Sequence, residues 1–294
     1  DAQSKPIKHL KYYPTEQEVT IEIEDNNLEE VLIDATRDGK AYDIPEVIDY
    51  KGQKAVLTHV FSKNGEYTLK VTAKDKSGNT ARETVTFTID KVDPKINLEH
   101  KIKNHVTKEH INKQGINQFI KIDVIEKHVK SKSVTVTYTD LNGNSETWRG
   151  SDVGEWSGPD KDNRYQFKLK KGLFNKDGDY KLTVKVEDKA GRTATKHVDF
   201  TVDNIKPNIS LSKVQRYNNT GKTVTVTVKE HNYKKNNVKV RVTTPDGVKP
   251  EYKWINEGKV SKLPIAFNHD GTYTLEVEAI DDAGNKSQDT VTFT

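Results

Sequence analysis

One pattern recurs three times along this chain. It reads "NGEYTLKVTAKDKSGNTARETVTFTIDK" from Asn64, "DGDYKLTVKVEDKAGRTATKHVDFTVDN" from Asp177 and "DGTYTLEVEAIDDAGNKSQDTVTFT" from Asp270. Each copy sets a tyrosine (Tyr67, Tyr180, Tyr273) two residues after a glycine. Eight residues on comes an aspartate (Asp75, Asp188, Asp281), then a glycine three further (Gly78, Gly191, Gly284). A phenylalanine (Phe87, Phe200, Phe293) follows twelve residues after each aspartate. Offsets inside the copies agree, whereas the distances between copies do not. A solenoid needs a fixed short period, so the pattern predicts separate domains of one plan with unequal loops. Three such domains in 294 residues are about a hundred residues each, a common domain size.

Within a copy the apolar period is two. Val224, Val226 and Val228 alternate with Thr223, Thr225 and Thr227, and Leu275, Val277 and Ala279 alternate in the same way. This is the signature of half-buried strands with one wet face. Only "VTKEHINKQG", from Val106 to Gly115, suggests a helix, of one or two turns. Hydrophobic residues make up 32% and charged residues 31%, a balance that suits three thin two-layer cores better than one thick core. Asp75-Lys76-Ser77-Gly78 and Asp281-Asp282-Ala283-Gly284 fit a type I turn, with the carboxylate taking up local N–H groups and glycine accepting positive φ. Each copy therefore ends in a hairpin.

The Gly-x-Tyr step before that hairpin matches a tyrosine corner, in which the phenol bonds back to nearby backbone. The expected fold is all-β: three immunoglobulin-like sandwiches end to end, over residues 1–91, 92–204 and 205–294. The middle domain carries longer inserts at 99–118 and 142–167. With Gly-x-Tyr, the Asp-x-(Ser/Ala)-Gly-(Asn/Arg) turn and the junctions "FTIDKVDPKINL" and "FTVDNIKPNISL", the chain resembles tandem bacterial Ig-like domains of Gram-positive surface proteins and adhesins. A further shared feature is an acidic turn after the second strand: "EDNNLEEV", "IEKHVKSKSV" and "KEHNYKKNNV". The resemblance implies a stalk or adhesive module on the bacterial surface, anchored in the wall or secreted, that binds a host protein or glycan. The alternative is an accessory region of a large secreted glycosidase or peptidase. An intramolecular Lys–Asn isopeptide bond, found in some such domains, would need a buried acid, for which Glu22 and Glu24 are the candidates.

Other function classes find little support. The 48 basic and 44 acidic residues are interspersed, giving a net charge of +4, and no dense basic run suggests nucleic acid. No apolar stretch is long enough to insert in a membrane, and no signal peptide is visible. The chain opens at Asp1 without any methionine, as a processed or excised piece would. The absence of cysteine excludes disulfides and thiolate chemistry. No hydrolase, zincin or phosphate-loop motif occurs, so no catalysis is expected. His100, His105 and His110 recur every five residues, which places them on no common face.

Two sets of residues remain. The short junctions cross Pro94 and Pro207. An Ig-like sandwich would bring Asp90 and Asp93 of the first junction against Glu126 and Asp188. It would likewise bring Asp203 and Asn204 against Glu230, Asp281 and Asp282. Such oxygen clusters suit Ca²⁺, which takes six to eight oxygens in loose geometry; the alternative is that these aspartates only cap turns. Two substitutions weigh against an ion: Arg192 stands where the other copies have Asn79 and Asn285, and Lys206 stands where Asp93 would recur. The second set is the insert at 142–167, in which Trp156, Arg149, Arg164 and Tyr165 are the residue types that contact surfaces favour. A monomer is expected.

Overall fold

The computed structural model describes residues 7–45, 49–50, 53–230, 237–247, 249–257 and 259–294. Strands dominate, and they fall into three successive pairs of facing sheets. The first pair is built from β1 (Lys11–Tyr13), β2 (Gln17–Glu24), β3 (Leu28–Arg37), β4 (Lys40–Ala41), β5 (Asp49–Tyr50), β6 (Lys54–Phe61), β7 (Gly65–Asp75) and β8 (Thr80–Ile89). One sheet runs β1-β8-β7-β3-β4 and the other β2-β6-β5. β1 lies parallel to β8, with Lys11 opposite Phe87 and Tyr13 opposite Ile89.

The second pair begins with β9 (Lys95–His100), β10 (His105–Val106), the helices α1 (Lys108–Gln114) and α2 (Ile116–Phe119), and β11 (Ile120–Ile125). It continues through β12 (Val129–Thr139), β13 (Ser145–Arg149), β14 (Gly154–Ser157), β15 (Arg164–Leu169), β16 (Gly178–Asp188) and β17 (Thr193–Val202). Its sheets run β10-β17-β16-β12-β13 and β14-β15-β11-β9. Thr107 caps α1, its Oγ1 accepting from the His110 N–H at 3.2 Å. Ile111, Ile116 and Phe119 drop from the insert into the core, so the added residues thicken this sandwich. The third pair comprises β18 (Asn208–Leu211), β19 (Lys222–Lys229), β20 (Val238–Thr243), β21 (Ile255–Glu257), β22 (Val260–Phe267), β23 (Tyr273–Ile280) and β24 (Lys286–Phe293), in sheets β18-β19-β22-β21 and β20-β23-β24.

This is the strand order of immunoglobulin-like sandwiches, three in tandem. The alternation explains the layers: Val224, Val226, Val228 and Leu275 are fully buried, and burying each such side chain stabilises by about 1.5–3 kcal/mol. The threonines on the wet faces pair across strands, with hydroxyls 3.0 Å apart at Thr20–Thr58, 3.1 Å at Thr68–Thr86 and 3.2 Å at Thr274–Thr292.

One end of each sandwich is closed by the same three rings. Tyr67, Tyr180 and Tyr273 donate their phenols to the carbonyls of Lys63, Lys176 and His269, at 2.7, 2.9 and 2.7 Å. Each tyrosine stacks on the repeat phenylalanine, with centroids 5.4–5.6 Å apart. A second phenylalanine (Phe61, Phe174, Phe267) stands edge-on to both. The opposite end of each sandwich carries the Asp–Gly turns.

Candidate metal centres at the joints

β8 runs out at Ile89, at the tyrosine-corner end of the first sandwich, which faces the Asp–Gly-turn end of the second; there the Asp90 N–H donates to the Tyr13 carbonyl at 2.9 Å, holding the first junction against its own sandwich. The Asp90 carboxylate then meets the end of β11. Its Oδ2 lies 2.7 Å from His128 Nδ1, and Glu126 Oε1 accepts the His128 N–H at 2.7 Å. Asp90, Glu126 and His128 each offer a ligand atom, all within 4.8 Å of one another, with both carboxylates buried. Tyr12 of the first sandwich packs its ring 5.1 Å from that of His128, and Lys189 lies 5.1 Å over Tyr12. The two domains therefore touch through side chains as well as through the linker.

Asp188 completes this end. In the first copy Asp75 Oδ1 accepts the N–H groups of Ser77 and Asn79, and Oδ2 accepts Asn79 Nδ2 at 2.7 Å. The third copy repeats this, with Asn285 Nδ2 on Asp281 Oδ2 at 2.8 Å. Gly78, Gly191 and Gly284 take the positive φ these turns need. The second copy has Arg192, whose guanidinium reaches away to Asp93 at 2.7 Å. Asp188 Oδ2 is left fully buried without a hydrogen-bond partner, and the charge of Asp188 acts on Glu126 alongside that of Asp90. Arg192, which the sequence sets against an ion, thus vacates a ligand atom. A buried carboxylate oxygen without a donor is costly and normally finds a cation or a proton.

The second joint repeats the arrangement with oxygens only. The Asp203 N–H donates to the Val106 carbonyl at 3.0 Å, as Asp90 does to Tyr13. Carboxylate oxygens of Asp203, Glu230 and Asp281 lie within 4.8 Å of one another, and all three residues are buried. Asn285 ties the joint, its Nδ2 donating to the backbone carbonyl of Asp203 at 3.0 Å. Each ionised pair at such a separation repels by at least about 3.5 kcal/mol at the effective dielectric of a protein surface.

Some expected members stand elsewhere. Asp93 is exposed on Arg192. Asn204 turns back into the second sandwich: its side chain accepts the Lys108 N–H at 2.8 Å and donates to Asp177 at 2.6 Å. Asp282 sits 3.8 Å from His105 across the joint, outside the carboxylate trio. Lys206 is exposed. Most of the third acidic turn, residues 231–236, lies outside the described residues. His128 is the member that sequence spacing missed; only its place two residues after Glu126 hinted at it.

Burial holds the Glu126 carboxyl above the ordinary carboxylate range, reinforced by Asp90 and Asp188 and opposed by the His128 N–H. Folding therefore favours protonated Glu126. The sign is the reverse of the usual carboxylate: this contribution is present below the ordinary pKa and is lost as pH rises through the raised native value. Glu126→Gln keeps an acceptor for the His128 N–H and removes the charge. In chelator its melting advantage over the parent should grow from about pH 4 to pH 7. An advantage that stays flat would mean that the Glu126 charge is already compensated.

The aromatic insert does not form one exposed platform. Trp156 on β14 is half-buried against the core, edge-on to Phe167 at 5.0 Å. Tyr165 packs on the same side, and Lys132 lies 4.2 Å over its ring and 5.5 Å over that of Trp156. Arg164 pairs with Asp123 at 3.4 Å, while Arg149 is exposed at the end of β13. Trp148 stacks on Tyr138 at 5.7 Å as part of the sandwich. Glu22 and Glu24 are exposed and bridged by Lys54, so they offer no buried acid to an isopeptide bond. Among the described residues, the triplet His100, His105 and His110 forms no metal-holding group.

Comparison with known families gives two matches, both described as bacterial Ig-like domains, over residues 127–204 and 178–293. No protein of curated function matches the sequence. Among solved structures, the chain is 12% identical to three consecutive immunoglobulin domains of titin (an E-to-A variant), with a TM-score of 0.47 and coverage of 97% of this chain and 95% of that one. It is 18% identical to a tetra-tandem repeat in the extending region of a large adhesion protein, at TM-score 0.46, covering 95% and 70%. It is 14% identical to invasin, a bacterial integrin-binding protein, at TM-score 0.43, covering 98% and 59%. These likenesses extend to fold and no further.

Proposed function

Since the chain consists of tandem bacterial Ig-like domains, we propose that it serves as a non-catalytic extracellular spacer whose joints are stiffened by Ca²⁺. One observation carries this reading. The strand-end aspartate of one domain meets buried acids of the next at both junctions, and the pattern recurs although the intervening loops differ. A cation bound there would tie two domains through oxygens from three chain segments and remove hinge freedom. The second joint suits Ca²⁺ better, because Asp203, Glu230 and Asp281 offer oxygen alone. At the first joint, His128 already occupies Asp90 Oδ2, while Asp188 Oδ2 stands available. Display on a bacterial surface accords with this reading. Adhesion to a host protein or glycan is assigned to whatever the spacer presents, because Trp156 packs against its own core.

Small-angle scattering tests the proposal directly. A compact particle of this length would have a radius of gyration of about 19 Å. The spacer should lie well above that value in Ca²⁺ and show a broader distribution of long distances in chelator. A value near the compact one in both conditions would overturn it.

A further inference from the structure

The second copy of the repeat departs from its neighbours at two places, and both departures meet at the first joint. The first lies two residues after the acid of the acidic turn, where the other copies have Asn27 and Asn232 and this one has His128. Asn27 and His128 hold the same place in the fold. Their carbonyls accept the Lys76 N–H at 2.9 Å and the Lys189 N–H at 2.8 Å. The second departure is Arg192, which stands where the other copies have Asn79 and Asn285. Those asparagines cap Oδ2 of Asp75 and Asp281, whereas Oδ2 of Asp188 has no donor.

Each departure supplies a ligand atom. His128 stands third in the trio with Asp90 and Glu126, the place that Asp281 fills beside Asp203 and Glu230. Asp188 lies directly behind, since it pairs with Val129, the residue after His128. Its Oδ1 accepts the Arg192 N–H at 2.9 Å, and its charge is felt by Glu126. Asp188 is fully buried, so bulk water cannot satisfy the remaining oxygen. The chemistry of this set differs from that of the second joint. Ca²⁺ takes oxygen ligands, whereas imidazole suits Zn²⁺ and its neighbours among the first-row transition metals.

We propose that the first joint is a site for a divalent transition ion of the Zn²⁺ type, held by His128 Nδ1 and the carboxylates of Asp90, Glu126 and Asp188. This rests on the reading of the joints as cation sites and changes the ion at one of them: here Zn²⁺ binds in preference to Ca²⁺. The ion takes the place of the proton between His128 Nδ1 and Asp90 Oδ2, and that proton leaves to solvent. Nitrogen and oxygen ligands of one tetrahedral Zn²⁺ stand about 3.3 Å apart, so the 2.7 Å contact opens by about 0.6 Å. Asp188 Oδ2, outside the trio, closes on the ion as the fourth ligand. Tyr12 backs the imidazole from the first domain, so the bound ion draws on both sandwiches. Two different ions then set the stiffness of the two joints separately.

Titration calorimetry of the full chain should detect one Zn²⁺ site that an about tenfold excess of Ca²⁺ does not empty. Co²⁺, a coloured stand-in, should give the visible absorption of a tetrahedral nitrogen–oxygen site. His128→Asn installs the residue of the other copies, and Asp188→Asn removes a ligand charge. Each should weaken Zn²⁺ binding by at least about tenfold, with folding of both variants verified by melting in chelator. His128→Asn decides the matter alone should Asp188→Asn fail to fold, because asparagine already serves at that place in the first domain. Absent Zn²⁺ binding, or Zn²⁺ binding that His128→Asn leaves unchanged, overturns the proposal. So does a site that Ca²⁺ empties at that excess, or one that a folded Asp188→Asn chain retains. The Ca²⁺ melting increment that depends on Asp281 is read on the same samples. Its persistence without Zn²⁺ binding sinks this inference alone, and the loss of both sinks the reading of the joints as cation sites as well.

Discussion

Ten millimolar Ca²⁺ should raise the melting temperature of the third sandwich by roughly 10–20 °C over the same protein in chelator. Extracellular oxygen sites commonly bind Ca²⁺ with dissociation constants near 10⁻⁴ M, and a hundredfold excess of ligand then stabilises by about 2.7 kcal/mol. One kcal/mol moves the midpoint of a domain this size by about 4–8 °C. Asp281→Ala should erase the difference between the two conditions. The variant will also melt lower in chelator, because Asp281 caps the Asn285 N–H and side chain, so the Ca²⁺ increment is the diagnostic quantity. Calorimetry that detects no heat of binding, with unchanged melting, would leave Asp203, Glu230 and Asp281 as turn caps.

Phe87→Ala should unfold the first sandwich while the other two stay folded. Phe87 is fully buried, stacked on Tyr67 and edge-on to Phe61. Truncating such a ring costs about 3–5 kcal/mol, against a total of about 5–15 kcal/mol for a domain. The first sandwich has the least to lose, since Ile21, Ile23, Val71 and Ala73 are only half-buried. Scanning calorimetry should show the lowest transition vanish and the remaining heat persist. Phe200→Ala, in a sandwich thickened by Ile111, Ile116 and Phe119, should shift its transition without abolishing it. A single shared transition displaced as a whole would mean that the three units unfold cooperatively.

What the sequence disclosed follows the range of the interactions. The tyrosine corner and the Asp–Gly hairpin close within four residues, so the bonds of Tyr67 to Lys63 and of Asp75 to Asn79 could be anticipated from spacing alone. The meeting of Asp90 with Glu126, and of Asp203 with Glu230 and Asp281, could be anticipated because the sandwich topology places those strand ends together. Side-chain choices inside the cluster could not. Which way Arg192 points depends on Asp93, ninety-nine residues away, and that choice orphans Asp188. The third ring of each corner, Phe61, Phe174 or Phe267, stands six residues before its tyrosine in all three copies, so the same fixed-offset reading, carried upstream of the Gly-x-Tyr step, reaches it as well.

The parallel pairing of β1 with β8, and of β10 with β17, has a mechanical meaning. If the ends of the chain are drawn apart, tension enters each of these two sandwiches near its first strand and leaves from the last. Because the two strands run in the same direction, the pull acts on their opposite ends. The bridging hydrogen bonds are then loaded together in shear and not opened one after another like a zip. At the far end of each such pair, the N–H of Asp90 or Asp203 fastens the departing chain back onto its own domain. Force that crosses a junction therefore meets the carboxylate cluster before it reaches either core.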